Sequence, residues 1–228
     1  MFAPTQPLAI KICGLSTPET LEAALAAGVE MIGLVFHPKS PRFVPPEEAA
    51  ALAAMARGRA EIVALVVDRD IAELTDLVEA VRPDWLQLHG RETPEAVRAI
   101  KAATGLRVIK ALGIADRHDL AAFAAYQGIA DRILLDAKPP KDAAYPGGHG
   151  RSFDWSILAA LDRTSPFMLS GGLDPANVAQ AITMARPWGV DVSSGVERAP
   201  GVKDVDRITE FVVAARAAAA AAAEAGRT

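Results

Sequence analysis

Cysteine is nearly absent from this sequence: its 228 residues contain one, Cys13. A disulfide within the chain is excluded, and the usage fits a reducing compartment. An excess of basic residues is also missing. Lys and Arg number 24 against 28 Asp and Glu, a formal net charge of −4. Bulk charge therefore offers nothing to nucleic acid or to an anionic membrane, and neither partner is expected. No apolar run approaches the length that crosses a bilayer. The opening residues, MFAPTQPLAIKICG, hold no basic stretch followed by an apolar core, so a cytoplasmic location is expected. Neither GxGxxG nor GxxxxGK[ST] occurs. No His, Asp and Glu set has metal-ligand spacing, so no metal is expected. Any phosphate site must be a local feature of the fold.

What is present is a regular alternation. Apolar residues make up 51% and charged residues 23%, as in ordinary globular proteins. Short β-branched runs read as strands at 8–13, 31–36, 61–67, 84–89, 106–112, 132–137, 167–170 and 190–194. Between them lie helical stretches beginning near Pro18, Pro46, Ile71, Pro94, Asp116, Asp154, Pro175 and Val202. Thr17-Pro18, Thr93-Pro94 and Asp174-Pro175 each put a capping side chain before a proline at the first helical position. Strands this apolar are buried on both faces, which parallel sheets require. Eight strand–helix units predict an α/β fold of the (β/α)8 TIM-barrel type, with an open doubly wound sheet as the alternative. We expect one domain over 1–228. Residues 217–228 are alanine-rich and read as a helical C-terminal extension.

In such a barrel the chemistry sits at the C-terminal ends of the strands. The seventh strand runs into Ser170-Gly171-Gly172-Leu173 and the eighth into Ser193-Ser194-Gly195-Val196-Glu197. Glycines let backbone amides approach an anion closely, and these two loops commonly hold phosphate in barrels. Each alone reads equally well as a tight turn; both at the two expected places predict a phosphate grip. On the first strand Lys11 and Cys13 lie two apart and share a face. Cys13 is either a small buried hydrophobe or a base whose pKa Lys11 lowers from about 8.5. Lys11 is equally readable as a barrel residue paired with a carboxylate. Asp136 ends the sixth strand, as a loop cap or as a functional acid. The long Pro- and Gly-rich segment after it reads as a substrate cover or as a plain connection. Arg42 is suited to holding a carboxylate bidentately, or is merely solvated. His37 and His89 read as structural by default.

Taken in order, KICG, SPRFV, QLHG, LLDAK with GGHGRSFDW, LSGGLDPANV and DVSSGVE resemble phosphoribosylanthranilate isomerases. The motifs run from residue 11 to residue 197. The resemblance implies an Amadori rearrangement in tryptophan biosynthesis, on a small phosphorylated substrate, without cofactor or metal. It implies Cys13 as general base and Asp136 as general acid, the latter needing a raised pKa that inward-pointing Lys138 would oppose. It implies Arg42 at the anthranilate end, and Gly171, Gly172, Ser194 and Gly195 around the phosphate. Lys11, His89 and Asp191 stand in matched motifs and join the substrate-binding set, Asp191 near the reacting centre. A monomer or homodimer is expected. An imidazole-carboxamide ribonucleotide isomerase would carry an aspartate in place of Cys13, and a non-enzymatic relative would have lost Cys13 or Asp136.

Overall fold

A computed structural model describes residues 8–140, 142–143, 145–161 and 166–225. In chain order the elements are β1 (Ala9–Cys13), α1 (Pro18–Ala26), β2 (Met31–Val35), α2 (Pro46–Ala56), β3 (Glu61–Val66) and α3 (Ile71–Val81). They continue with β4 (Trp85–Leu88), α4 (Pro94–Thr104), β5 (Arg107–Ile114), α5 (Ala121–Tyr126) and β6 (Arg132–Ala137). Last come β7 (Phe167–Leu169), α6 (Val178–Ala185), β8 (Gly189–Val192), β9 (Glu197–Ala199), β10 (Val202–Lys203) and α7 (Val205–Ala225). Strands β1 to β8 close into a parallel barrel, not an open sheet. The seam joins β1 to β8, with Lys11 in register with Asp191.

The period-2 pattern divides each strand's side chains between two cores. Outward residues such as Ile10, Ile12, Ile32, Leu34 and Leu86 pack against the helices. Inward residues Met31, Val63, Trp85, Ile109, Leu134 and Met168 plug the N-terminal half of the barrel. Above that plug the inward positions turn polar, with Lys11, Gln87, Asp136 and Asp191 buried among apolar neighbours. The floor of the site is therefore the top of a packed core.

Local signals set most helix starts. Thr17 and Thr93 accept from the amides of Thr20 and Ala96, and Asp70 forms a capping box with Glu73. Four starts differ from the sequence expectation. At Asp116 a 3₁₀ turn, Arg117–Leu120, precedes α5. From Asp154 a 3₁₀ helix, Trp155–Ala160, stands where an α-helix was expected. Asp174 caps a turn through the amides of Ala176 and Asn177, so α6 begins at Val178. Val202 and Lys203 pair antiparallel with Glu197–Ala199 before α7 begins. The alanine-rich run is helical as far as Ala225, and residues 226–228 lie outside those described. Among the described residues no helix is long and apolar enough to cross a membrane.

Candidate active site

A cavity opens at the C-terminal ends of the strands, lined among others by Cys13, Arg42, His89, Asp136, Gly171 and Ser194. Eight of the ten residues singled out from the sequence line it. Lys11 does not: it lies fully buried beneath Cys13, and its ammonium meets Asp191 at 2.9 Å. Gly195 stands behind Ser194, against the neighbouring loop.

Cys13 and Asp136 enter the cavity three strand positions apart around the ring. The thiol is 4% exposed, and burial pushes its pKa above the ordinary value. Lys11 and Lys203 work against that shift, while Asp191 adds to it. The expectation that Lys11 would bring the thiol toward neutrality is therefore corrected: desolvation outweighs the nearby ammonium. Burial also opposes the charge on Lys11, yet Asp191 and the thiol leave its pKa raised. Asp136 is buried too. One oxygen accepts from the amide of Ala137 at 2.9 Å, and the other lies 3.2 Å from His89 Nε2. Lys138 does not point inward at Asp136: its ammonium lies 2.8 Å from Asp119.

Arg42 is 4% exposed and held from behind. Its Nε and Nη2 donate to the two oxygens of Glu197 at 2.7 and 2.9 Å, and Nη2 also donates to the carbonyl of Gly148. Its Nη1 forms no hydrogen bond with the described residues and leaves a donor for a ligand. Glu197 bridges Arg42 to Lys203, whose Nζ lies 2.7 Å from Glu197 Oε1. Burial tends to raise the Glu197 pKa, but the two cations hold it below the ordinary value. Burial lowers Lys203 to about 8 in spite of Glu197. Lys203 also donates to the carbonyl of Ser193, whose hydroxyl donates to the carbonyl of Cys13.

The loops after β6, β7 and β8 meet over one side of the cavity. Gly171 and Gly172 both have positive φ, +89° and +66°, a region favouring glycine. A Cβ on Gly172 would come within 2.5 Å of the Arg151–Ser152 backbone, and one on Gly195 within 1.8 Å of the Leu173 carbonyl oxygen. The amides of Gly172, Ser194 and Gly195 donate to no backbone carbonyl among the described residues. Such amides in tight loops form an anion concavity. The segment after β6 covers the cavity with Tyr145, Gly147 and Gly148, and the Tyr145 and His149 rings stack at 4.6 Å.

The sequence reading passed over Gln87, Lys203 and the part played by Glu197. Gln87 carried a signal, lying two residues before His89 on one face of β4. Lys203 carried none, since only the β9–β10 hairpin folds it back beneath Ser193.

A sequence model of the N-(5'-phosphoribosyl)anthranilate isomerase family matches residues 10–214. The chain belongs to the phosphoribosylanthranilate isomerase family. Among relatives, the Afipia carboxidovorans N-(5'-phosphoribosyl)anthranilate isomerase is 60% identical, over 92% of this chain and 90% of that protein. That of Azorhizobium caulinodans is 57% identical, over 93% of each. The Thermotoga maritima phosphoribosylanthranilate isomerase structure superposes with a TM-score of 0.83 at 38% identity, covering 92% of this chain and 99% of that one. A further phosphoribosylanthranilate isomerase structure, in complex with reduced 1-(o-carboxyphenylamino)-1-deoxyribulose 5-phosphate, has a TM-score of 0.80 at 36% identity. It covers 92% of this chain and 99% of that one.

Proposed function

We propose that this chain carries out its family's reaction in tryptophan biosynthesis, with Cys13 as general base and Asp136 as general acid. The reaction is the Amadori rearrangement of N-(5-phosphoribosyl)anthranilate to the 1-deoxyribulose. The observation that carries the assignment is one cavity receiving a thiol and a carboxyl, both nearly buried, from separated strands. Asp136 protonates the ring oxygen, the C1–O bond breaks, and an iminium forms at C1. The Cys13 thiolate then removes the C2 proton. The resulting enolamine gains a proton at C1 and loses one from its hydroxyl, which gives the ketone. One acid and one base suffice for this sequence.

The remaining residues hold the substrate. Arg42 offers Nη1 to the anthranilate carboxylate while Glu197 fixes its plane. The Gly171–Gly172 and Ser194–Gly195 amides take the phosphate. Asp191 and His89 stand at the edge of the reacting centre, and Lys11 supports the site from beneath. The chain needs neither cofactor nor metal in this scheme. It works in the cytoplasm on a small phosphorylated molecule, as a monomer or homodimer, with no nucleic acid or membrane partner.

The test follows loss of anthranilate-type fluorescence from phosphoribosylanthranilate made in situ, with EDTA present. Turnover is expected, and its abolition by EDTA overturns the metal-free scheme. Cys13→Ala and Asp136→Asn should each lower kcat by about 10²–10⁴-fold, the usual contribution of a positioned acid or base. Unchanged kcat in either variant removes that residue from its role. Arg42→Ala should mainly raise KM.

A further inference from the structure

Gln87 lies on β4 with no solvent exposure, among Trp85, Leu86 and Leu88. Its side chain points into the barrel and reaches the cavity. Its Nε2 lies 3.3 Å from His89 Nδ1, and its Oε1 is buried with no hydrogen-bond partner among the described residues. An unsatisfied buried acceptor is destabilising, and a methionine of similar length would avoid it. The amide is therefore a stability defect unless its other end has a use.

That use lies on the far side of the His89 ring. His89 Nε2 lies 3.2 Å from Asp136 Oδ2. A neutral imidazole carries one proton, and the partner at one ring nitrogen decides which nitrogen holds it. An amide N–H directed at Nδ1 makes that nitrogen the acceptor and leaves the proton on Nε2, facing Asp136. We propose that Gln87 is a positioning residue that fixes His89 as the Nε2–H tautomer and, through it, orients and stabilises the Asp136 carboxylate. The carboxylate is what Asp136 becomes after giving up its proton, so the Nε2–H bond strengthens as that proton leaves. The proposal rests on Asp136 as the acid.

Gln87→Met tests it. We expect kcat to fall on the order of tenfold, the range seen when the partner orienting a functional histidine is lost. KM should stay unchanged and Tm should hold or rise, since an unsatisfied acceptor goes. A merely structural glutamine would lose stability instead. In the His89→Ala background Gln87→Met should have no further effect on kcat. An equal loss in both backgrounds overturns the proposal. So does a wild-type ¹⁵N spectrum in which His89 carries its proton on Nδ1, a result that needs no variant to fold. If Asp136→Asn retains full kcat, the acid assignment fails, and that outcome is separate from the tautomer measured on the wild type.

Discussion

At the scale of single residues the thiol sets the pH behaviour. Burial raises the pKa of Cys13, and the cations that oppose the shift do not cancel it. A base that acts as thiolate is then scarce at neutral pH. The free enzyme should gain kcat/KM steadily as the pH rises above 7, because its thiolate fraction rises with pH. A profile that levels off below pH 8 would show that Cys13 is not the titrating base. Lys203, lowered to about 8, loses its charge within this window. Its charge helps the thiolate, so the rising limb should extend further upward rather than flatten early.

At the scale of elements the phosphate grip is a matter of loops pressed together. Two positions decide it, Gly172 against the Arg151–Ser152 backbone and Gly195 against the Leu173 carbonyl. Gly195→Ala puts a methyl where no atom fits, so the β7 and β8 loops must part. We expect a stability loss of about 1–3 kcal/mol, typical of overpacking. Inhibition by inorganic phosphate should weaken, and KM should rise more than kcat falls. Undiminished phosphate inhibition in a folded Gly195→Ala protein would place the anion elsewhere. The cover after β6 follows the same logic, with Gly147 and Gly148 lying where any side chain would strike Asp136, His89 or Arg42.

At the scale of the whole molecule closure depends on the seam between first and last strands. Lys11 and Asp191 face each other there at 2.9 Å, 0% and 5% exposed. Removing one partner leaves a buried charge uncompensated, so Lys11→Met should cost about 3–5 kcal/mol in urea unfolding. Lys11→Met combined with Asp191→Leu should cost less than Lys11→Met alone, since no lone charge remains. A double variant as unstable as the sum of the singles would mean that the two side chains do not interact. Replacing the pair also changes the charge beneath Cys13, so stability and activity need separate measurement.

The sequence by itself determined the barrel and the places where chemistry gathers. Eight apolar runs with capped helices between them are local facts; parallel pairing follows from their alternation, and eight units favour a closed barrel over an open sheet. Cys13, Asp136 and the two glycine loops were legible because each stands at a strand end, and Arg42 because it lies in the loop that follows one. Only the tertiary structure decided how these groups act on one another. It set the direction of the Cys13 shift, because burial depends on what packs around a thiol and not on its neighbour in sequence. It turned Lys138 outward to Asp119, gave Arg42 to Glu197, and brought Lys203 beneath Ser193 through a hairpin that no local pattern announced. It also placed Gln87 behind His89 and His89 against Asp136, a contact between strands separated by some fifty residues of chain. Spacing along a strand fixes which face a side chain takes. Which partner it meets there is fixed only when the ring closes.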